Sequence, residues 1–357
     1  MKKEGISSIK VAATYIGTIV GAGFATGQEV IQFFSKFGVF GLFGLILTTV
    51  MFIVFGYIIM DLGKKLNAQS HLEIIKYSGG KILGTVIDFI ITFFLFGALT
   101  AMIAGTGALF EQQFNLPSIL GNIIMAVLTA ITVLTGINGV INSISFVVPF
   151  LLVAVLGTSI FSIINTPPDL STTVANTGEN GLITNWLLAA FLYVSYNTVI
   201  SISVLGPLGV KTRNKKAIRI GALLGGIGLG IGSIMIYLAL SGNIQENVKL
   251  EVPMLYVAGG ISSIVQIGYA IVLIAEVYTT AVGSLYGFVS RMTSRKKSPN
   301  IRRIIIIGTS LVALLASQFG FSNLVKYLYP LVGYGGIILL ISMLYIKFKP
   351  KTSRNIK

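Results

Sequence analysis

Apolar residues in this chain run in long blocks, and polar residues are confined to short gaps between them. The blocks span 9–34, 38–60, 85–109, 119–135, 144–163, 186–205, 217–240, 261–289, 304–319 and 328–346. A helix needs about 20 apolar residues to cross a bilayer. The pattern therefore predicts an all-α integral membrane protein with ten transmembrane helices, of which the fourth and ninth are the shortest. A hydrophobic share of 54%, with 10% charged residues and a mean hydropathy of +0.89, excludes an ordinary soluble domain.

The formal charge of +15 would fit a nucleic-acid partner were it not for where the charges lie. In a ten-span chain, 23 of the 26 basic residues fall on one side, in the N-terminus, the even-numbered loops and the C-terminal tail. Only Lys36, Lys249 and Lys326 fall on the other. By the positive-inside rule both termini are cytoplasmic, and the basic clusters report orientation rather than nucleic-acid binding. Lys2 and Lys3 precede an apolar run too long for a signal peptide, so no cleavable leader is expected. The expected location is a bacterial inner (plasma) membrane. There is no cysteine, and the one histidine, His71, is expected to be solvated in a cytoplasmic loop beside Glu73. Disulfides, thiolate metal sites and histidine clusters are thus not expected.

The spans repeat. Each of the first five starts 176 to 185 residues before its counterpart in the second five. Because five is odd, the halves run in opposite senses through the membrane. Two inverted five-helix repeats (1–164 and 186–357, the second with a basic cytoplasmic tail) joined by an extracellular linker (165–185) are an architecture of secondary transporters. In such proteins the site lies where the first helices of the two halves meet.

The first span carries the sign of such a site. Gly21-Ala22-Gly23 stands at its centre, followed by Thr26, Gln28 and Glu29. Glycine weakens a helix, and unwound backbone survives in a membrane only where it is buried in protein or lines a cavity. The alternative use of these glycines is close helix packing. The first half-helix would present carbonyls near Val20, which attract cations, and the second half N–H groups near Gly23, which attract anions. In the sixth span the stretch Phe191 to Thr198, with Tyr193, Ser195, Tyr196, Asn197 and Thr198, is expected to break likewise. A continuous helix using Ser195 and Asn197 to bond across the bundle is the competing reading.

Glu276 lies near the middle of the eighth span, where a carboxylate is costly and marks an ion or proton path. Thr280 is one turn away on the same face, with Thr279 beside it. Such oxygens suit a hard cation, and Glu276 either ligates it or carries the proton itself; a structural hydrogen bond is the plain alternative. Glu29 is expected to line an outer vestibule, as a gate, an amine contact or an ion pair with Lys326. Asp88 is expected at the cytoplasmic interface. The glycines Gly221, Gly225, Gly226, Gly228, Gly230 and Gly232 read as a packing surface for the seventh helix.

The run from Gly17 to Gly23 resembles the unwound first helix of the amino acid–polyamine–organocation (APC) transporter superfamily, the LeuT-type fold with helices 1 and 6 discontinuous. Tyr15 to Glu29 resembles more closely the YkvI-type bacterial membrane proteins. The resemblance implies a sodium site joining the carbonyls of Gly17 and Val20 to the hydroxyls of Thr279 and Thr280, with Glu276 at the same place as a departure from the usual pattern. It also implies substrate contacts at Gly21, Ala22, Gly23 and the Tyr193–Thr198 stretch. The expected function is sodium- or proton-coupled symport of a small zwitterion such as an amino acid by alternating access. No cofactor is expected beyond a sodium ion, and no partners beyond the substrate and the lipid bilayer. The alternative is a receptor of the same fold that binds a small molecule without moving it. An enzyme is not expected, because no nucleophile–histidine pair, metal motif or catalytic carboxylate pair is present.

Overall fold

The computed structural model describes residues 5–171, 182–248, 250, 252–293, 298–319 and 321–348. The middle of the 165–185 linker, most of the terminal basic residues and the Lys326 side chain lie outside the described residues. The described chain is almost wholly helical. Its helices are α1 (Ser8–Ile19), α2 (Ala22–Thr26), α3 (Gln28–Phe33), α4 (Val39–Leu66), α5 (His71–Phe114), α6 (Ser118–Leu134), α7 (Ile137–Asn165), α8 (Trp186–Lys211), α9 (Lys215–Ser241), α10 (Ile244–Asn247), α11 (Pro253–Gly259), α12 (Ser263–Met292), α13 (Pro299–Ala316) and α14 (Phe321–Phe348).

Eight of the described segments are long and apolar enough to cross a membrane, and α6 is apolar but shorter. Polar residues in the gaps start the long helices. The side chains of Asn185, Asn214 and Ser262 accept from the backbone N–H of Leu188, Ala217 and Val265, satisfying donors that a helix start leaves open. Ser70 and Glu73 form a capping box at the start of α5. That helix bends at Gly80 (φ 69°), which separates a short entry helix from the long span.

Helix α8 is the centre of the bundle: every residue from Leu192 to Gly209 is buried, against α4, α14, α5, α12 and α1. The sequence reading expected this helix to be discontinuous, and the structure shows one unbroken helix. The reason is local. No glycine or proline stands at its midpoint, and the polar side chains bond back onto the helix instead of replacing its bonds. Asn197 Nδ2 donates to the Tyr193 carbonyl at 2.9 Å, and Ser195 Oγ lies 3.0 Å from the Leu192 carbonyl oxygen while its proton goes to the Gly333 carbonyl of α14. Pro207 does not end the helix either; it lies inside α8, which continues to Lys211.

Small residues let helices touch. A Cβ on Gly209 would lie 2.1 Å from the Met60 carbonyl oxygen, and one on Gly63 2.2 Å from that of Gly206, so α4 and α8 meet backbone to backbone. The α9 glycines divide between two faces. Gly221, Gly225 and Gly228 accommodate Val11, Tyr15 and Ile16 of α1, while Gly226 and Gly230 accommodate Ile53 and Thr49 of α4. Large apolar side chains such as Phe89, Phe146, Ile264, Ile304 and Leu315 point outward, giving the bundle an apolar exterior suited to lipid.

This packing yields a prediction. Gly209→Ala should destabilise the protein by roughly 1–3 kcal/mol through overpacking. Gly157→Ala, where a Cβ meets nothing within 4 Å, should stay within about 0.5 kcal/mol of the parent. Thermal unfolding of the purified variants in detergent checks both.

Candidate functional site

Helix α1 stops at Ile19, and the chain passes through two extended residues, Val20 (φ −64°, ψ 127°) and Gly21 (φ −140°, ψ −167°), before α2 begins. Both conformations are open to any residue, so the glycines are required by what lies against them. A Cβ on Gly21 would fall 2.9 Å from Thr280 Oγ1, and one on Gly23 2.3 Å from Glu29 Oε1. Gly27 is different: at φ 86° it adopts the left-handed conformation that favours glycine, turning the chain between α2 and α3.

A helix that stops leaves its last carbonyls without partners. Here α12 supplies them. Thr279 Oγ1 lies 2.8 Å from the Gly17 carbonyl oxygen, and Thr280 Oγ1 donates to that of Val20 at 2.7 Å. Glu276 completes the cluster. It is fully buried, its Oε2 lies 3.3 Å from Thr279 Oγ1, and its Oε1 has no hydrogen-bond partner. An unpartnered buried carboxylate oxygen is costly, and among carbonyl and hydroxyl oxygens it makes a set of donors suited to a hard cation or a proton. Tyr269, seven residues before Glu276 on the same face of α12, donates to the Ala25 carbonyl at 2.7 Å and so fixes α2 as well. The sequence reading missed Tyr269, although its spacing of 7 and 11 residues from Glu276 and Thr280 was a usable signal.

On the other side of the break Glu29 does not face an open vestibule in this structure. The residue is only 4% exposed, because the turn at Gly27 brings its carboxylate over Gly23. There Tyr196 of α8 donates to Oε2. Tyr193 also approaches the carboxylate, and its ring packs edge-on to that of Tyr196, with centroids 5.5 Å apart.

The other residues of the α8 stretch are placed differently. Ser195 faces α14, where its hydroxyl donates to the Gly333 carbonyl. Asn197 is committed to its own helix, Thr198 is buried, and the Ala22 side chain lies outside the described residues. A cavity of about 580 Å³ is lined in part by Asn165, Asn243, Asn247 and Gln266, and neither Glu29 nor Glu276 lines it.

His71 is also corrected. It is fully buried, and its Nε2 is 3.0 Å from Asp88 Oδ1. The bend at Gly80 folds the entry helix back on the span, which removes His71 from solvent. Asp88 is buried too and takes hydrogen bonds from Arg291 Nε at 2.7 and 2.8 Å and from Nη2, a forked charge-assisted contact. This tie joins α5, just past its bend at Gly80, to the C-terminal end of α12. Among the described residues no group of three or more His, Cys, Asp or Glu could hold a metal ion.

These helices and this interrupted segment define a multi-pass membrane protein of the LeuT-type fold. The solved structure of a substrate-bound, outward-open Na+-coupled sialic acid symporter matches it with a TM-score of 0.69 at 14% identity, over 95% of this chain and 79% of that one. MhsT in complex with L-phenylalanine matches with a TM-score of 0.68 at 18% identity, over 99% and 92%. No family model matches. The membrane protein YkvI of Bacillus subtilis (strain 168), itself uncharacterized, is 32% identical over 337 residues, 94% of each chain. The chain belongs to the YkvI family.

The Asp88–Arg291 tie can be measured. In a double-mutant cycle, Arg291→Gln and Asp88→Asn should each lower the melting temperature, and the double variant should recover part of the loss. A coupling energy of about 1–3 kcal/mol is expected for charged neighbours in direct contact.

Proposed function

We propose that this protein is a cation-coupled secondary transporter of a small zwitterionic substrate, an amino acid by preference, working by alternating access. The observation that carries this reading is the pair of α12 hydroxyls on the freed carbonyls of Gly17 and Val20, with the unpartnered Glu276 oxygen beside them. Carbonyl and hydroxyl oxygens of two helices that meet beside a chain break can hold a coupling cation, and its arrival or loss then alters how the two helices pack. The fold's likeness to a Na+-coupled sialic acid symporter supports coupling, with sodium at Gly17, Val20, Thr279 and Thr280 or a proton on Glu276. The likeness to MhsT, solved with L-phenylalanine, supports the substrate class.

In this reading the chain forms two inverted repeats, 1–164 and 186–357, with the broken first segment and α6 completing ten spans. The 165–185 linker is extracellular and both termini face the cytoplasm of a bacterium. The substrate sits against Gly21, Ala22, Gly23, Tyr193 and Tyr196. The unbroken α8 favours one competing reading, a receptor that binds the same class of molecule without moving it.

Uptake of a radiolabelled amino-acid pool into proteoliposomes, under a sodium gradient, a proton gradient or none, tests the proposal. Gradient-driven accumulation is expected, and the effective gradient names the ion. Glu276→Gln should lower it tenfold or more, about 1.4 kcal/mol of coupling. Saturable binding with no accumulation under any gradient would overturn transport in favour of the receptor.

A further inference from the structure

Glu29 raises a question that the coupling site does not answer. It is a buried carboxylate, and among the described residues no Lys or Arg is paired with it in the ion pairs Lys65–Asp61 and Arg291–Asp88. A buried charge without a counter-charge is expensive. The surroundings of Glu29 are also chemically uniform. The rings of Tyr193 and Tyr196 stand 5.5 Å apart and nearly perpendicular. Phe33 lies 5.4 Å from Tyr193 and 5.6 Å from Tyr196, and Tyr329 of α14 lies 5.1 Å from Tyr196. Three elements (α3, α8 and α14) thus gather aromatic side chains around one carboxylate, and the Tyr196 hydroxyl is turned to it.

We infer that Glu29, with Tyr193, Tyr196 and Tyr329, is the recognition site for a positively charged nitrogen, an ammonium or quaternary ammonium group, on the transported molecule. Ring faces attract cations through their quadrupoles, and aromatic cages recognise alkylated ammonium groups in this way. The carboxylate supplies the full counter-charge, and the Tyr196 hydroxyl is the donor that occupies Oε2 in the arrangement seen here. An ammonium N–H or N–CH₃ group takes the place of that hydroxyl, and Tyr196 swings aside. The same carboxylate repels an anion: a substrate with a carboxylate and no amine meets the Glu29 charge with nothing to offset it. Gly23 has a defined part, since any side chain there would collide with the Glu29 carboxylate. The inference rests on the proposed function for the occupant of the site and adds to it that a positive nitrogen is obligatory.

The test is a binding measurement that needs no transport. The purified protein is titrated, with melting temperature and calorimetry as readouts, with ethanolamine, choline, putrescine, L-alanine, L-phenylalanine, acetate, propionate and glycerol. Saturable stabilisation is expected only among probes that carry a positive nitrogen. Glu29→Gln should weaken the best of them about tenfold or more. Glu29→Asp, which keeps the charge, should retain the preference for cations at reduced affinity, and this separates recognition from a folding defect. Three results would overturn the inference: stabilisation by acetate or propionate, equal binding to wild type and Glu29→Gln, or no stabilisation by any nitrogen-bearing probe. Cation binding through Glu29 without gradient-driven uptake would overturn the transport reading alone, so the two failures are distinguishable.

Discussion

Carbonyl oxygens at the end of a helix need partners, and in the interior of a membrane protein water does not supply them freely. In this chain that need arises where α1 stops, and two adjacent hydroxyls on α12 meet it. The arrangement fixes much else. It brings α12 close enough to require glycine at position 21, and it places Glu276 Oε2 3.3 Å from one of the two hydroxyls, that of Thr279. It also sets Tyr269 to hold the short helix that follows the break. Without those hydroxyls the interruption would expose bare backbone groups, at a cost that apolar packing alone does not recover.

The break also separates two buried carboxylates that share no partner. Glu276 lies on the α12 side among hydroxyls and carbonyls, the surroundings of a small hard cation or a proton. Glu29 lies on the α8 side among aromatic rings, the surroundings of a larger, softer organic cation. Two chemically different sites on one interrupted segment are what coupling requires, since an ion and a substrate must act on the same element to influence each other. The unbroken α8 makes that segment the point at which the bundle's backbone is least regular. The Asp88–Arg291 pair and the close contact of α4 with α8 hold the surrounding helices.

Much of this could be read from the sequence, and the failures have physical causes. The apolar blocks fixed the helical class because length and composition alone decide whether a segment can cross a bilayer. The interruption in the first segment was visible in Gly21-Ala22-Gly23, although for a different reason than conformational freedom. Its backbone angles are ordinary, and the glycines are there because Thr280 and Glu29 occupy the space where side chains would be. The geometry of Thr279 and Thr280 against Gly17 and Val20 came from family resemblance, since helical spacing shows that two hydroxyls share a face and not which carbonyls they meet. The burial of Glu29 depended on one left-handed residue, Gly27, whose angle no pattern reveals. His71 was misplaced because the bend at Gly80 folds the entry helix back on its span. A polar stretch in α8 read as a break although its side chains leave the backbone bonds of the helix in place, and composition does not separate those outcomes.

The central claim is that the carbonyls of Gly17 and Val20 and the hydroxyls of Thr279 and Thr280 form a cation-coupling centre with Glu276. The most direct test is the melting temperature of the purified protein against sodium concentration, with potassium replacing sodium at constant ionic strength, and against pH. It is compared between wild type and Thr279→Val/Thr280→Val. The account predicts a saturable stabilisation of the wild type by sodium or by protonation, growing with occupancy to about 2.7 kcal/mol at a hundredfold excess over the dissociation constant. It predicts loss of that response in the double variant. A wild type indifferent to both ions, or a response that survives removal of both hydroxyls, would contradict it.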